Sequence, residues 1–239
     1  MAKSNIEWTE MTWNPSTGCD KISSGCKNCY AEIMSYRLKA MGMQKYKNGF
    51  SLTCHPEDLN VPYKWKKPKM IFVNSMSDLF HEDMPLKFIK QVFNVMNNCQ
   101  QHIFQVLTKR SGNLVKYFSL LDWTPNIWMG VTVENNNVIN RIDHLRKIPA
   151  FIKFISFEPL IGQISIVNLN EIDWVIVGGE SGNNARPIEQ NWILDIKEKC
   201  EELDIPFFFK QWGGKNKKKN GNLLLGNKYL QTPKPYEIV

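Results

Sequence analysis

Three of the six cysteines in this chain lie within eleven residues near the N-terminus, at Cys19, Cys26 and Cys29. Two cysteines separated by two residues can direct both thiolates at one metal centre, and a third in the same loop completes a face of three sulfurs. Structural zinc normally takes four protein ligands, whereas a catalytic centre keeps one position open. The spacing therefore predicts a metal centre with an open coordination position.

The other cysteines and two histidines define the alternative. Cys54, Cys99 and Cys200 show no paired spacing, and the first residues lack the apolar core of a signal peptide, so we expect a reduced, cytoplasmic protein. If His55 or His81 joined the three cysteines, the centre would be a closed zinc site. The chain would then be a zinc-containing nucleic-acid-binding protein with structural cysteines, and this interpretation stays open beside the catalytic one.

Composition narrows the class of protein. The chain has 239 residues, is 43% hydrophobic and carries a formal net charge of +7. This length is close to that of a complete α/β barrel, about 250 residues. The charge favours a polyanionic partner, either a nucleic acid or a phosphorylated substrate. No apolar stretch approaches the roughly 20 residues that span a bilayer, so we expect no membrane partner.

Short apolar runs alternate with amphipathic segments along the chain. Most runs are apolar at consecutive positions, which is typical of parallel strands covered on both faces. We predict strands at residues 11–14, 70–74, 102–107, 127–133, 151–157, 174–178 and 206–210. We predict helices at residues 30–41, 85–97, 112–121, 135–146 and 192–203. Parallel strands with right-handed crossovers form either a barrel or an open doubly wound sheet.

Polar clusters at the ends of the predicted strands favour the barrel. They lie at residues 74–78, 108–110, 132–135, 156–159, 178–182 and 210–214. The same residue types cap helices and make turns, but in an α/β barrel the loops that leave the strands converge on one rim and carry the active site. We therefore predict an α/β fold, a partial or near-complete TIM-like (β/α) barrel of parallel strands.

Several sequence motifs together resemble a known family. The cysteine loop is preceded by Trp13-Asn14-Pro15 and followed by Tyr30-Ala31. The later motifs are FVNSMSDLFH at 72–81, LTKR at 107–110, GVTVEN at 130–135, SFEPL at 156–160, GGESG at 178–182 and KQWG at 210–213. This set, which covers nearly the whole chain, resembles the phage- and prophage-associated three-cysteine-motif proteins of unassigned function. That family is similar to radical S-adenosylmethionine (SAM) enzymes.

The resemblance implies a fold, cofactors and a reaction. It implies a partial barrel whose first strand is followed by a 4Fe-4S cluster held by Cys19, Cys26 and Cys29, with SAM on the remaining iron. An electron donor would then reduce the cluster, and SAM would be cleaved to a 5′-deoxyadenosyl radical. The spacing departs from that of most radical SAM enzymes, because six residues rather than three separate the first two cysteines, and the aromatic Tyr30 follows the last cysteine.

The resemblance and the rim positions together nominate further site residues. The predicted catalytic or substrate-contacting residues are Glu158, Lys109 and Lys210. A carboxylate that follows an apolar strand needs a cation, so the partner of Glu158 is expected to be Lys109, Arg110 or Lys210. These three cations equally suit a phosphate-bearing substrate. The predicted cofactor-binding residues are Tyr30, Ser75, Ser77, Asp78, Glu134, Asn135, Gly178, Gly179 and Glu180. Glu180 and Asn135 have an alternative role as caps of the next segment.

The C-terminal segment differs in character from the rest of the chain. We predict a radical SAM-like barrel over residues 1–212 and a basic tail over residues 213–239. The tail carries Lys215 and a run of lysines at 217–219, followed by three leucines at 223–225. The lysines suit nucleic acid, although such runs are often only solvated charge. The leucines predict that the tail docks on the barrel.

Overall fold

A computed structural model describes residue 4, residues 6–164 and residues 167–234. Its centre is a parallel sheet of seven strands, accompanied by a small antiparallel pair, β2 (Ser16–Thr17) with β3 (Thr53–Cys54). The seven strands are β1 (Met11–Trp13), β4 (Met70–Val73), β5 (Ile103–Thr108), β6 (Ile127–Thr132), β7 (Lys153–Phe157), β8 (Trp174–Gly178) and β9 (Phe207–Gln211). Each strand pairs with the next in this order.

The strand order explains the shape of the sheet. A doubly wound sheet reverses its order at a switch point, whereas this order runs from β1 to β9 in one direction. Right-handed crossovers then place the helices on one face, and the sheet curls into a half-barrel. No pairing joins β1 to β9 within the described ranges, so the barrel is open. The predicted partial α/β barrel is confirmed.

Four helices cover the convex face, and each of them contributes side chains to the main core: α2 (Leu86–Asn98), α3 (Ser111–Tyr117), α4 (Asn140–Arg146) and α5 (Gln190–Glu202). The first helix, α1 (Tyr30–Ala40), packs in a separate cluster beside the cysteines, and the short α6 (Lys217–Asn220) has no buried residues. The helices predicted at 112–121 and 135–146 are shorter than expected. Three-residue 3₁₀ turns occupy Phe118–Leu120 and Asn136–Val138 instead. The second turn begins where the Asn135 side chain accepts a hydrogen bond from the Asn137 backbone N–H, which caps a new turn.

Aromatic side chains fill the concave face below the rim. Phe72, Trp128, Phe154, Trp174 and Phe208 point inward from five strands and are buried. Packing there is tight, because a Cβ on Gly130 would lie 2.5 Å from the Phe154 ring. Trp8 precedes β1 and packs into the same cluster, with its ring centroid 4.7 Å from that of Phe72. This packing confines polar chemistry to the carboxyl-end rim of the strands.

The residues after Trp212 contact the last strand. The backbone of Tyr229 accepts a hydrogen bond from Phe209, and Leu230 forms an antiparallel bridge with Phe208, so this segment covers the edge of β9. Leu224 is buried, and the Trp212 indole donates to the Leu223 carbonyl. The boundary between barrel and tail stays a prediction, and residues 235–239 of the predicted tail lie outside the described residues.

Among the described residues, the helices are too short and too polar to cross a bilayer.

Candidate functional site

The cysteine loop begins at the carboxyl end of β1 and is fixed there by backbone hydrogen bonds. Gly18 donates to the Met76 carbonyl at 2.9 Å, and Cys19 donates to the Phe50 carbonyl at 3.0 Å. Gly18 has a φ of +86°, and a Cβ there would lie 2.1 Å from the Ser51 carbonyl oxygen. Only glycine fits this position. The Ser77 hydroxyl donates to the Gly18 carbonyl at 2.8 Å, so this predicted cofactor-binding residue supports the loop.

The other two cysteines lie between the loop and the first helix. Cys26 ends a 3₁₀ turn, Ser24–Cys26, and Cys29 immediately precedes α1. All three cysteines are half-buried and free. They therefore lie on one rim of the half-barrel, as the spacing predicts, with the first turn of α1 beside them.

The chemistry of the donor set bears on which metal group the loop suits. Three thiols are soft sulfur donors of the kind that holds iron–sulfur clusters, so the three cysteines fit such a cluster. Across the described ranges, Asp20, His81 and Asp83 form a separate set of three ligand atoms that all lie within 4.8 Å of one another.

Both histidines of the zinc alternative have other partners. The Asp83 backbone N–H donates to His81 Nδ1 at 3.1 Å, so Nε2 carries the hydrogen and faces an Asp20 carboxylate oxygen at 3.1 Å. His55 Nε2 lies 2.8 Å from the Thr17 hydroxyl. Neither ring thus supplies a fourth ligand to the three cysteines in this arrangement.

A buried carboxylate after β6 holds the middle of the cysteine loop. Glu134 is 0% exposed; it accepts from the Gly25 backbone N–H at 3.1 Å and from Arg141 at 2.8 Å. Burial opposes its ionisation, but the hydrogen bonds from Ser23 and Gly25 and the charge of Arg141 outweigh it, so the pKa of Glu134 is lowered. Next to it, the Asn135 amide donates to the Ser24 hydroxyl at 3.0 Å.

A second carboxylate, after β8, holds the end of the loop. Asn28 donates to Glu180 at 2.9 Å, and Arg186 forms a two-pronged pair with the same carboxylate. Burial opposes ionisation here too, but the Arg186 hydrogen bonds prevail and lower the pKa of Glu180. The preceding glycines allow close packing, since a Cβ on Gly178 would lie 2.8 Å from a Glu158 oxygen and one on Gly179 2.1 Å from the Trp212 carbonyl oxygen.

Asp78 acts on the loop through an arginine. It accepts from the Thr108 hydroxyl at 2.7 Å, from the Lys109 backbone at 3.1 Å and from Arg110 at 3.3 Å. The Arg110 guanidinium in turn donates to Cys19 Sγ at 3.1 Å. Burial and the charge of Asp78 raise the pKa of the Cys19 thiol to about 11, although Arg110 acts in the opposite direction.

Tyr30 and Ser75 meet at the rim. The Tyr30 hydroxyl donates to the Ser75 carbonyl, while Tyr30 as a whole residue is 55% exposed at the start of α1. The Ser75 hydroxyl donates to the Asn14 amide oxygen at 3.2 Å. Tyr30 thus spans from the cysteine loop to the end of β4 and presents an aromatic face to solvent beside Cys29.

The predicted catalytic residues divide into a pair and a single cation. Lys210 lies 2.9 Å from one Glu158 oxygen, while the Trp8 indole donates to the other at 3.3 Å. Of the three cations weighed as partner for Glu158, Lys210 is therefore the one in contact. The Lys109 ammonium has no hydrogen bond or ion pair to the described residues; it lies near enough to Glu134 to help lower the pKa of that carboxyl.

The sequence did not indicate which residues bond to the carboxylates that hold the cysteine loop, or which residue bonds to Cys19. These are Asn28, Arg141 and Arg186, with Arg110 as the partner of Cys19. The Arg141–Glu134 pair could have been predicted from the sequence. Arg141 lies seven residues after Glu134, in the helix that follows the strand, and from there its side chain can reach back to the strand end. The Asn28–Glu180 contact joins residues 152 positions apart and has no local signal.

Comparison with known proteins places the chain in a family. Residues 3–233 match the family DUF5131, described as a protein of unknown function. No curated protein matches the chain. Association with phages stays a prediction.

Two solved structures are similar in fold. A cysteine-to-serine mutant of spore photoproduct lyase has a TM-score of 0.50 and 12% identity over 74% of this chain and 57% of that one. Spore photoproduct lyase complexed with dinucleoside spore photoproduct has a TM-score of 0.49 and 11% identity over 84% of this chain and 63% of that one. The chain thus spans less than two thirds of either lyase chain, and the first likeness shows a shared fold. Because the family match covers nearly the whole sequence, this chain belongs to the DUF5131 family.

Proposed function

We propose that this protein is a radical SAM enzyme in which Cys19, Cys26 and Cys29 hold a 4Fe-4S cluster. The observation that carries the proposal is the set of three half-buried, free thiols on the rim of a half-barrel, with His55 and His81 bonded to other residues. When bound, the cluster and SAM would supply one-electron cleavage of SAM to a 5′-deoxyadenosyl radical that removes a hydrogen atom from substrate.

The chain's own residues then have two tasks. Ser77 and Glu134 hold the loop backbone, and Glu180 holds the side chain of Asn28, so that the loop is positioned before any metal arrives. The aromatic packing beneath the rim keeps water away from the reacting atoms. Direct contact with SAM stays a prediction for all the proposed cofactor-binding residues. Tyr30 is suited to stack on an adenine, because its ring is exposed beside Cys29.

The substrate is proposed to carry phosphate, as a nucleotide or nucleic acid does. Lys109 supports this, since its ammonium has no partner among the described residues and lies near enough to Glu134 at the rim to act on the pKa of that carboxyl. Lys210 is already paired with Glu158, so in this proposal the pair orients substrate rather than binding phosphate. The net charge of +7 supports a polyanionic substrate in the same way. An external one-electron donor is required.

The test is anaerobic reconstitution with iron and sulfide, followed by dithionite, SAM and detection of 5′-deoxyadenosine. Wild type is expected to hold about four irons and to form 5′-deoxyadenosine. Cys26→Ala is expected to lose both the bound iron and the formation of 5′-deoxyadenosine. Cys54→Ala, at a half-buried cysteine outside the loop, is the matched control and should behave like wild type. Stoichiometric zinc with no iron–sulfur absorbance would contradict the proposal and return the zinc-containing nucleic-acid-binding alternative.

A further inference from the structure

Arg110 occupies an unusual position for a buried cation. Its side chain is 2% exposed, and one guanidinium nitrogen donates to Cys19 Sγ at 3.1 Å. Among the described residues, neither Cys26 nor Cys29 receives a hydrogen bond from a charged group; the partner of Cys26 Sγ is the Ser23 hydroxyl at 3.9 Å. The three sulfurs are therefore electrostatically unequal, and Cys19 is the one in contact with a full positive charge.

The position of this guanidinium is fixed independently of any metal. Its Nε donates to Glu82 at 2.5 Å, and its other nitrogens donate to Asp78 at 3.3 Å and to the Asp20 carbonyl at 3.1 Å. Asp78 is itself anchored by the Thr108 hydroxyl. A planar fork held at three further points does not need to reorganise when the charge on its neighbour changes. Arg110 is thus a preorganised positive charge at one sulfur.

Two carboxylates oppose this charge at the sulfur. Glu82 is 55% exposed, so solvent screens it. Asp78 is buried, and its charge acts on Cys19 against that of Arg110, but it stays in place when Arg110 is replaced. The positive charge of Arg110 is therefore the difference between the wild-type site and the same site without it. Reduction adds one negative charge to an iron–sulfur cluster, and hydrogen bonds to its sulfurs and nearby charge set its potential. A cation fixed at a ligand sulfur therefore stabilises the reduced state more than the oxidised state.

We propose that Arg110 is a positioning residue that raises the reduction potential of the cluster through its hydrogen bond to Cys19. The inference rests on the proposed function, because it presumes that the cluster binds. Arg110 makes reduction of the cluster by an external one-electron donor easier than it would be in the same site without this charge. It also gives the Thr108-Lys109-Arg110 segment a role on the metal side of the rim, distinct from phosphate binding.

The experiment is a redox titration of the reconstituted protein with dithionite, in which one electron enters the cluster and electron paramagnetic resonance (EPR) records the reduced fraction. Arg110→Gln removes the charge and is expected to make the reduction equilibrium at least tenfold less favourable, a lowering of about 59 mV or more for one electron. Arg110→Lys keeps the charge without the fork and should show a smaller lowering. Arg146→Gln, which removes a guanidinium paired with exposed Asp143, is the control and should leave the potential unchanged.

The outcomes separate the two proposals. If Arg110→Gln loads a cluster with the wild-type potential, the inference is wrong while the proposed function stands. If Arg110→Gln does not load, Arg110→Lys decides, since an unchanged or raised potential in that variant overturns the inference. If wild type itself takes up no cluster, the proposed function and the inference fall together.

Discussion

Replacing Glu134 by glutamine tests how the cysteine loop is held. Glu134 is fully buried and accepts from Gly25 and from Arg141, which is itself 6% exposed. Removing one partner of a buried ion pair costs about 3–5 kcal/mol, because the remaining charge stays buried. Arg141 keeps a 2.8 Å hydrogen bond to the Thr132 carbonyl, and the glutamine oxygen still accepts one bond, so we expect the lower end, about 3 kcal/mol.

Thermal unfolding of the metal-free protein measures this cost. In a chain of this size 1 kcal/mol corresponds to about 2–4 °C, so Glu134→Gln should lower Tm by about 6–12 °C. Asn135→Ala is the matched control, because it removes a cap and a loop contact without stranding a charge; about 1 kcal/mol is expected. Limited trypsinolysis adds a local readout, since Lys21 and Lys27 flank the segment that Glu134 holds and should be cut faster in Glu134→Gln.

The reasoning is refuted if Glu134→Gln unfolds within 1 °C of wild type. It is also refuted if the variant loses stability but the cleavage rates at Lys21 and Lys27 match those of Asn135→Ala. The first result would mean that the pair contributes no net stability. The second would mean that Glu134 stabilises the barrel without restraining the loop.

Three further predictions concern pH and packing. The pKa of Glu134 is lowered in the folded state, so its ionised carboxylate stabilises the fold above the ordinary value of 4.5, and this stability is lost as pH falls through the folded pKa. In urea titrations below pH 4.5, wild type should therefore lose more stability than Glu134→Gln. Gly130→Ala places a Cβ 2.5 Å from the Phe154 ring, so thermal unfolding should show a loss of about 1–3 kcal/mol in the free energy of unfolding. Gly112→Ala, in a helix with open space around the new Cβ, should instead stabilise the fold. In metal-free protein the alkylation rate of Cys19, followed by peptide mass spectrometry, should still rise steeply between pH 10 and 11, because burial raises its pKa to about 11. A plateau by pH 10, as expected for the ordinary value of 9.0, would contradict this.

The fold could be predicted because its signal is local. Strands such as Trp174–Gly178 are apolar at every position, since helices cover one face and aromatic side chains the other. Observed strand ends differ from the predicted ones by at most two residues. The helix predicted at 135–146 is interrupted because the Asn135 cap starts a separate turn, and the apolar pattern does not record where a cap acts.

The candidate site was predictable in its positions and less so in its contacts. Cysteine spacing identified the loop, and the strand ends identified Glu134, Glu158 and Glu180 as rim carboxylates. What each carboxylate contacts depends on how the strands and the loop come together. Glu134 and Glu180 bind the cysteine loop across 109 and 152 positions of sequence, and such pairings follow from the curl of the sheet rather than from any local pattern.

The most direct test of the central claim is the EPR spectrum of the reduced, reconstituted protein with and without SAM. A cluster held by Cys19, Cys26 and Cys29 alone has one iron without a protein ligand, so SAM should bind there and change the reduced-state signal. The account predicts that change in wild type and no cluster signal in Cys26→Ala. A 4Fe-4S signal that SAM leaves unaltered would contradict it.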